Sequence, residues 1–148
     1  MKKICIHGEI VRGLRGASGL AYKSSLSNVG TIAKQKPYFK SARVERVDSW
    51  YEGTINLSIE PKKLKILKPD YVVTAKWMPN TVETFWLVDV VLEYKGKRYP
   101  AYIYYPCPSP VKAHADNIIE LLTEKVESLS CGDTATIEVL GDKITLLD

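Results

Sequence analysis

The sequence predicts a mainly β fold, a small barrel with one main helix. Two observations lead there. Most apolar stretches are strand-length and either alternate with polar residues or are rich in β-branched side chains. Only His114 to Glu127 carries apolar residues at helical spacing over a longer run. Many short strands with a single helix fit a small barrel.

At 148 residues the chain predicts a single domain, 1–148. A chain of this size buries roughly 68–70% of its unfolded surface, enough for a core without staples. With 45% apolar and 26% charged residues it reads as an ordinary globular protein, not a disordered tail or fibrous repeat. The apolar runs are too short for a transmembrane helix, and Met1 to Gly8 offers no apolar stretch of signal-peptide length. Cys5, Cys107 and Cys131 are an odd, widely spaced set with no CxxC, so neither a disulfide framework nor a zinc site is expected. A reducing cytoplasm is the simplest setting. The net charge of +4 suits an anionic small ligand and is compatible with nucleic acid.

Ile4 to Val11 reads as the first strand and runs into Gly13 to Gly19, with glycine at every third position. Residues 20 to 50 are irregular and suggest no element. Gly53 to Ile59 alternates Ile55, Leu57 and Ile59 against Thr54, Asn56 and Ser58, a strand with one polar face. Pro61 and Pro69 bracket a lysine-rich connection, then Tyr71 to Met78 is a strand. Phe85 to Tyr94 is nearly all apolar, as in a strand buried on both sides. Lys95-Gly96-Lys97 predicts a hairpin turn into Arg98 to Tyr105, and three prolines (Pro106, Pro108, Pro110) stop the sheet. In the predicted helix Ile118, Ile119, Leu122 and Val126 share a stripe, with Asp116 or Asn117 as cap. A last hairpin is expected from Thr134 to Leu147, turning at Gly141-Asp142 in type II′ geometry.

Three features can carry chemistry. Glycines at 13, 16 and 19, with Arg12, Arg15 and Lys23, form either a plain turn or a cradle whose N–H groups meet phosphate. It is neither a Walker A motif nor a dinucleotide fingerprint. Thr54 and Asn56 point to one face of their strand. They form either a solvated polar face or a pair of hard oxygen donors for Mg²⁺, with ligand phosphates completing the shell. Glu120, placed opposite the apolar stripe, is either a surface carboxylate or a general base. His114 reads more simply as a cap or packing residue. The three Trp and nine Tyr can stack on an aromatic ligand but are more simply core or rim residues.

The order of these segments resembles the CTP-dependent riboflavin kinases of archaea. Gly8-Glu9-Ile10-Val11-Arg12-Gly13 followed by the glycine loop is similar to that family's Gly-Glu-Val-Val-x-Gly start. Tyr51-Glu52-Gly53-Thr54-Ile55-Asn56-Leu57 matches its Tyr-x-Gly-Thr-Leu-Asn-Leu, the most specific element. Pro106, Ser109, His114, Ile118-Ile119-Glu120 and Gly132-Asp133 follow in the family's order. Lys125 stands near where the family carries Leu-Arg-Glu.

The resemblance implies a six-stranded cradle-loop barrel and transfer of the CTP γ-phosphate to the riboflavin 5′-hydroxyl, giving FMN and CDP. By carry-over Leu14, Arg15, Gly16, Ala17, Ser18, Gly19, Leu20 and Lys125 contact the nucleotide. Thr54 and Asn56 bind Mg²⁺, Ser109 and Glu120 contact the flavin, and Glu120 is the base. Riboflavin and CTP are the expected partners of a monomer, with no membrane and no nucleic acid. The alternatives are a flavin- or nucleotide-binding module without catalysis, or a basic nucleic-acid-binding barrel.

Overall fold

The computed structural model describes residues 2–12, 26–27, 30–106 and 116–148. Leu14 to Leu20, Ser109 and His114 lie outside the described residues. The elements in chain order are β1 (Lys3–Ile10), β2 (Leu26–Ser27), α1 (Thr31–Ser41), a 3₁₀ turn (Val47–Ser49), β3 (Thr54–Ser58) and β4 (Lys63–Ile66). There follow β5 (Tyr71–Met78), β6 (Thr81–Tyr94), β7 (Lys97–Pro106), β8 (Ile118–Leu122), β9 (Thr134–Leu140) and β10 (Ile144–Leu147). None of the described helices is long and apolar enough to cross a membrane.

The protein is mainly β, and six of its strands are hydrogen-bonded in a ring. β1 pairs with β9, β9 with β6, β6 with β7, β7 with β8, β8 with β3, and β3 again with β1, every pair antiparallel. β5 extends the sheet from the first half of β6, β2 from β3, and β4 pairs with β10 in a separate sheet. Alternation along the strands makes two cores. Ile55, Leu57, Val90, Ile103, Ile119 and Ile137 belong to a core shared by the ring strands. The opposite face of β5–β8 packs Phe85, Leu87, Tyr102 and Tyr104 with Ile32 and Phe39 of α1. Phe39 meets Trp50 and Phe85 with ring centroids 5.5 Å apart in each pair.

Most strand expectations hold to within a few residues, and Lys95 and Gly96 turn with positive φ (49° and 78°) between the paired Tyr94 and Lys97. Four expectations are corrected. The helix expected from His114 to Glu127 is not formed over its described part, where Ile118–Leu122 is strand β8. Ile119 and Leu121 enter the ring core and Leu122 the other, so the segment is apolar on both faces and its spacing mimics a helix. β8 also has a partner on each edge, β3 and β7, which satisfies its backbone as a central strand. The helix is instead α1, in the stretch that suggested no element. It holds Pro37, has no acidic residue in its first turn and no side-chain cap, so its usual signals are missing. Burial of Ile32, Gln35 and Phe39 along one face holds it.

The final hairpin is also absent. β9 already has β1 on one edge and β6 on the other, so β10 crosses to β4. Gly141 is not among the positive-φ glycines, as a type II′ turn would need. Part of the lysine-rich connection is β4, whose Lys63 and Lys65 stay exposed while Leu64 and Ile66 are buried.

Candidate functional site

β3 sits between β1 and β8, and its alternation decides what reaches each face. Ile55 and Leu57 enter the ring core. Thr54 and Asn56 take the opposite face and are fully buried, at 0% exposure. The β3–β8 register places Asn56 directly across from Glu120. The Thr54 hydroxyl donates to Glu120 Oε1 at 2.8 Å. On its other edge β8 sets Glu120 across from Tyr104 of β7. Asn56, Glu120 and Tyr104 thus form one cross-strand row, with side chains about 4.5–5.5 Å apart at Cβ in such pairs.

Glu120 is 5% exposed and Tyr104 3%. A carboxylate so buried is costly unless hydrogen-bonded, and Thr54 supplies one such bond. The Tyr104 hydroxyl donates to Gln35 Oε1 of α1 at 2.8 Å, tying the helix to the row. Burial above all, with the charges of Glu120 and Glu83 adding, pushes the Tyr104 phenol well above its ordinary value, against the bond to Gln35. Tyr104 is therefore a neutral donor at any working pH. Glu83, also buried, accepts from Trp77 Nε1 at 2.8 Å on the same side of the sheet.

The chain entering the glycine loop reaches this place. Ile10 pairs with Leu57, and the Val11 N–H donates to the Asn56 carbonyl at 3.0 Å. At the head of β3, Ser27 pairs with Thr54 and the Gly30 N–H donates to the Glu52 carbonyl, so α1 starts beside the site. Beyond β8 the Thr123 carbonyl accepts from the Tyr51 N–H at 2.9 Å. Lys125 follows, exposed and outside the buried row.

Of the residues expected from sequence, Thr54, Asn56 and Glu120 are brought together. Tyr104, Gln35 and Glu83 were not foreseen. Their signal was latent in strand alternation, but it needed β8 to be a strand before any register could pair Tyr104 with Glu120.

The Thr54 hydroxyl, the Asn56 amide oxygen and the Glu120 carboxylate are hard donors of the kind Mg²⁺ takes, so the residues fit that ion. Among the described residues no group of three His, Cys, Asp or Glu could hold a metal alone, so phosphate oxygens or water would have to complete the shell. A cavity of about 220 Å³ opens between β6 and β9, lined by Lys3, Asp89, Glu138 and Lys143 among others, and none of the expected site residues lines it. Compared with protein-family models and with curated proteins, the chain matches none.

Proposed function

We propose that this chain is a CTP-dependent riboflavin kinase built on a cradle-loop barrel and acting as a cytoplasmic monomer. One observation carries the reading. Thr54 and Glu120, 66 residues apart, share a buried hydrogen bond, and Asn56 faces Glu120 across the strand pair. These are the three described residues to which the family resemblance gives the metal and the proton transfer.

Phosphoryl transfer asks mainly for alignment and charge neutralisation. Glu120 accepts the proton of the riboflavin 5′-hydroxyl as that oxygen bonds to the γ-phosphorus. The bond from that phosphorus to the β–γ bridging oxygen breaks, and CDP leaves. Thr54 fixes the carboxylate by donating to Oε1. Mg²⁺ held by Thr54 and Asn56 would neutralise phosphate charge. Leu14 to Leu20 and Lys125 serve the nucleotide and Ser109 the ribityl chain. Since Thr54 and Asn56 are fully buried, the reading requires this face to open when substrates enter.

The test is incubation of the folded protein with riboflavin, Mg²⁺ and either CTP or ATP, with FMN separated chromatographically. FMN formed with CTP supports the reading. Absence of FMN with both nucleotides overturns it, and flavin or nucleotide binding without turnover replaces it by a binding module.

A further inference from the structure

The β4–β10 ribbon has two unlike faces. Leu64, Ile66 and Ile144 are buried in the ring core and seat the ribbon there. Alternation puts Lys63 and Lys65 on the outer face, both exposed. The register sets Leu147 across from Lys63 and Thr145 across from Lys65. Leu147 is 47% exposed, and Leu67, the residue after β4, is 50% exposed. Lys62, just before β4, is exposed as well. Neither strand contains an acidic residue. Among the described residues no carboxylate pairs with Lys62, Lys63 or Lys65, whereas the neighbouring Lys68 pairs with Asp142 at 3.5 Å and Lys143 with Asp70 at 2.9 Å. Glu60, before the ribbon, accepts from the Asn117 amide at 2.9 Å.

Three uncompensated ammonium groups side by side call for an anionic partner. The two leucines decide which one. Single-stranded nucleic acid is gripped by aromatic rings and guanidinium planes that stack on bases, and residues 61–68 and 144–147 contain neither. Exposed leucines gain instead by leaving water at the boundary between lipid headgroups and acyl chains. Lysines suit that boundary, since their stems lie along apolar surface while the ammonium groups stay at headgroup level.

We propose that the outer face of the β4–β10 ribbon docks the protein on an anionic lipid surface, with Lys62, Lys63 and Lys65 on the headgroup anions and Leu67 and Leu147 at the acyl boundary. Such docking needs no membrane-spanning segment.

Sedimentation of the full chain with lipid vesicles tests it. One set of vesicles is phosphatidylcholine alone, and in the other about one-third is phosphatidylserine. The chain is expected to sediment with the second set only, and added salt should release it. Lys63→Gln with Lys65→Gln should lower partitioning about 30-fold. Leu67→Ser with Leu147→Ser should lower it about tenfold. Lys34→Gln with Lys97→Gln makes the same charge change elsewhere on the surface and should lower it less than about threefold. All six positions are at the surface, so circular dichroism should match wild type in every variant. No sedimentation with the phosphatidylserine vesicles overturns the proposal, as does equal sedimentation with both sets or an equal loss in the Lys34–Lys97 control. Full vesicle binding by the leucine variant overturns the acyl contact. Binding to a single-stranded RNA that the leucine variant keeps, with no vesicle binding, overturns the proposal and makes the ribbon a nucleic-acid surface.

Discussion

The two faces of β3 and β8 differ in what they bury. Toward the ring core the buried residues are Ile55, Leu57, Ile119 and Leu121. On the other face the same strands bury Thr54, Asn56 and Glu120 at 5% exposure or less. An apolar core gains by burial alone, whereas each buried polar group must recover its lost hydration through a partner. The ring side is therefore organised for stability. The helix side accepts a stability cost to hold a carboxylate among fixed partners, an environment in which functional groups are often found.

Substitutions on the two faces should separate in kind. The largest effect is expected from Glu120→Gln, which keeps shape and removes the proposed base. FMN formation should fall by about 10²–10⁴-fold while circular dichroism is unchanged. Retention of full activity would remove Glu120 from the chemistry. On the ring side Leu57→Ala should cost about 2–5 kcal/mol in denaturant unfolding and leave turnover per folded molecule intact. Loss of turnover without loss of stability would blur the distinction between the faces.

Gly8→Ala tests the closure of the ring. A Cβ at Gly8 would lie 2.6 Å from the Ser58 carbonyl oxygen and 2.7 Å from Leu57 Cγ. Strands β1 and β3 must shift apart there, at about 1–3 kcal/mol by thermal or denaturant melting. An unchanged melting curve would show that the β1–β3 seam carries no stability.

The smallest effect concerns pH. The Tyr94 hydroxyl, and then Lys95, hold the Asp133 carboxyl below its ordinary 3.8. A folded value below the unfolded one contributes stability that is present above about pH 4 and is lost as pH falls through the folded value. Asp133→Asn should flatten the acid limb of the melting temperature and leave the neutral plateau nearly level. An unaltered acid limb would show that Asp133 does not contribute to it.

Much of the strand inventory was legible because alternation and turn chemistry are local. Tyr71–Met78 and Thr134–Leu140 were located to the residue. The Thr54–Asn56 couple was legible for the same reason, since period two alone places both on one face. Register was not legible, because it depends on which distant strand occupies each edge. Ile118–Leu122 shows this, since two flanking partners override a spacing that looks helical. α1 was missed because Pro37 and the absent cap erase its local signals, and tertiary burial supplies what propensity does not.

β6 runs for 14 residues and belongs to both regions. Its Phe85 and Leu87 pack beneath α1, while Val88, Val90, Leu92 and Tyr94 lie in the ring core. One beam thus carries both floors of the building. The face that buries Thr54, Asn56 and Glu120 has no separate stability of its own, and heating should melt the whole protein in one cooperative step, with the helix signal and the aromatic signal disappearing together.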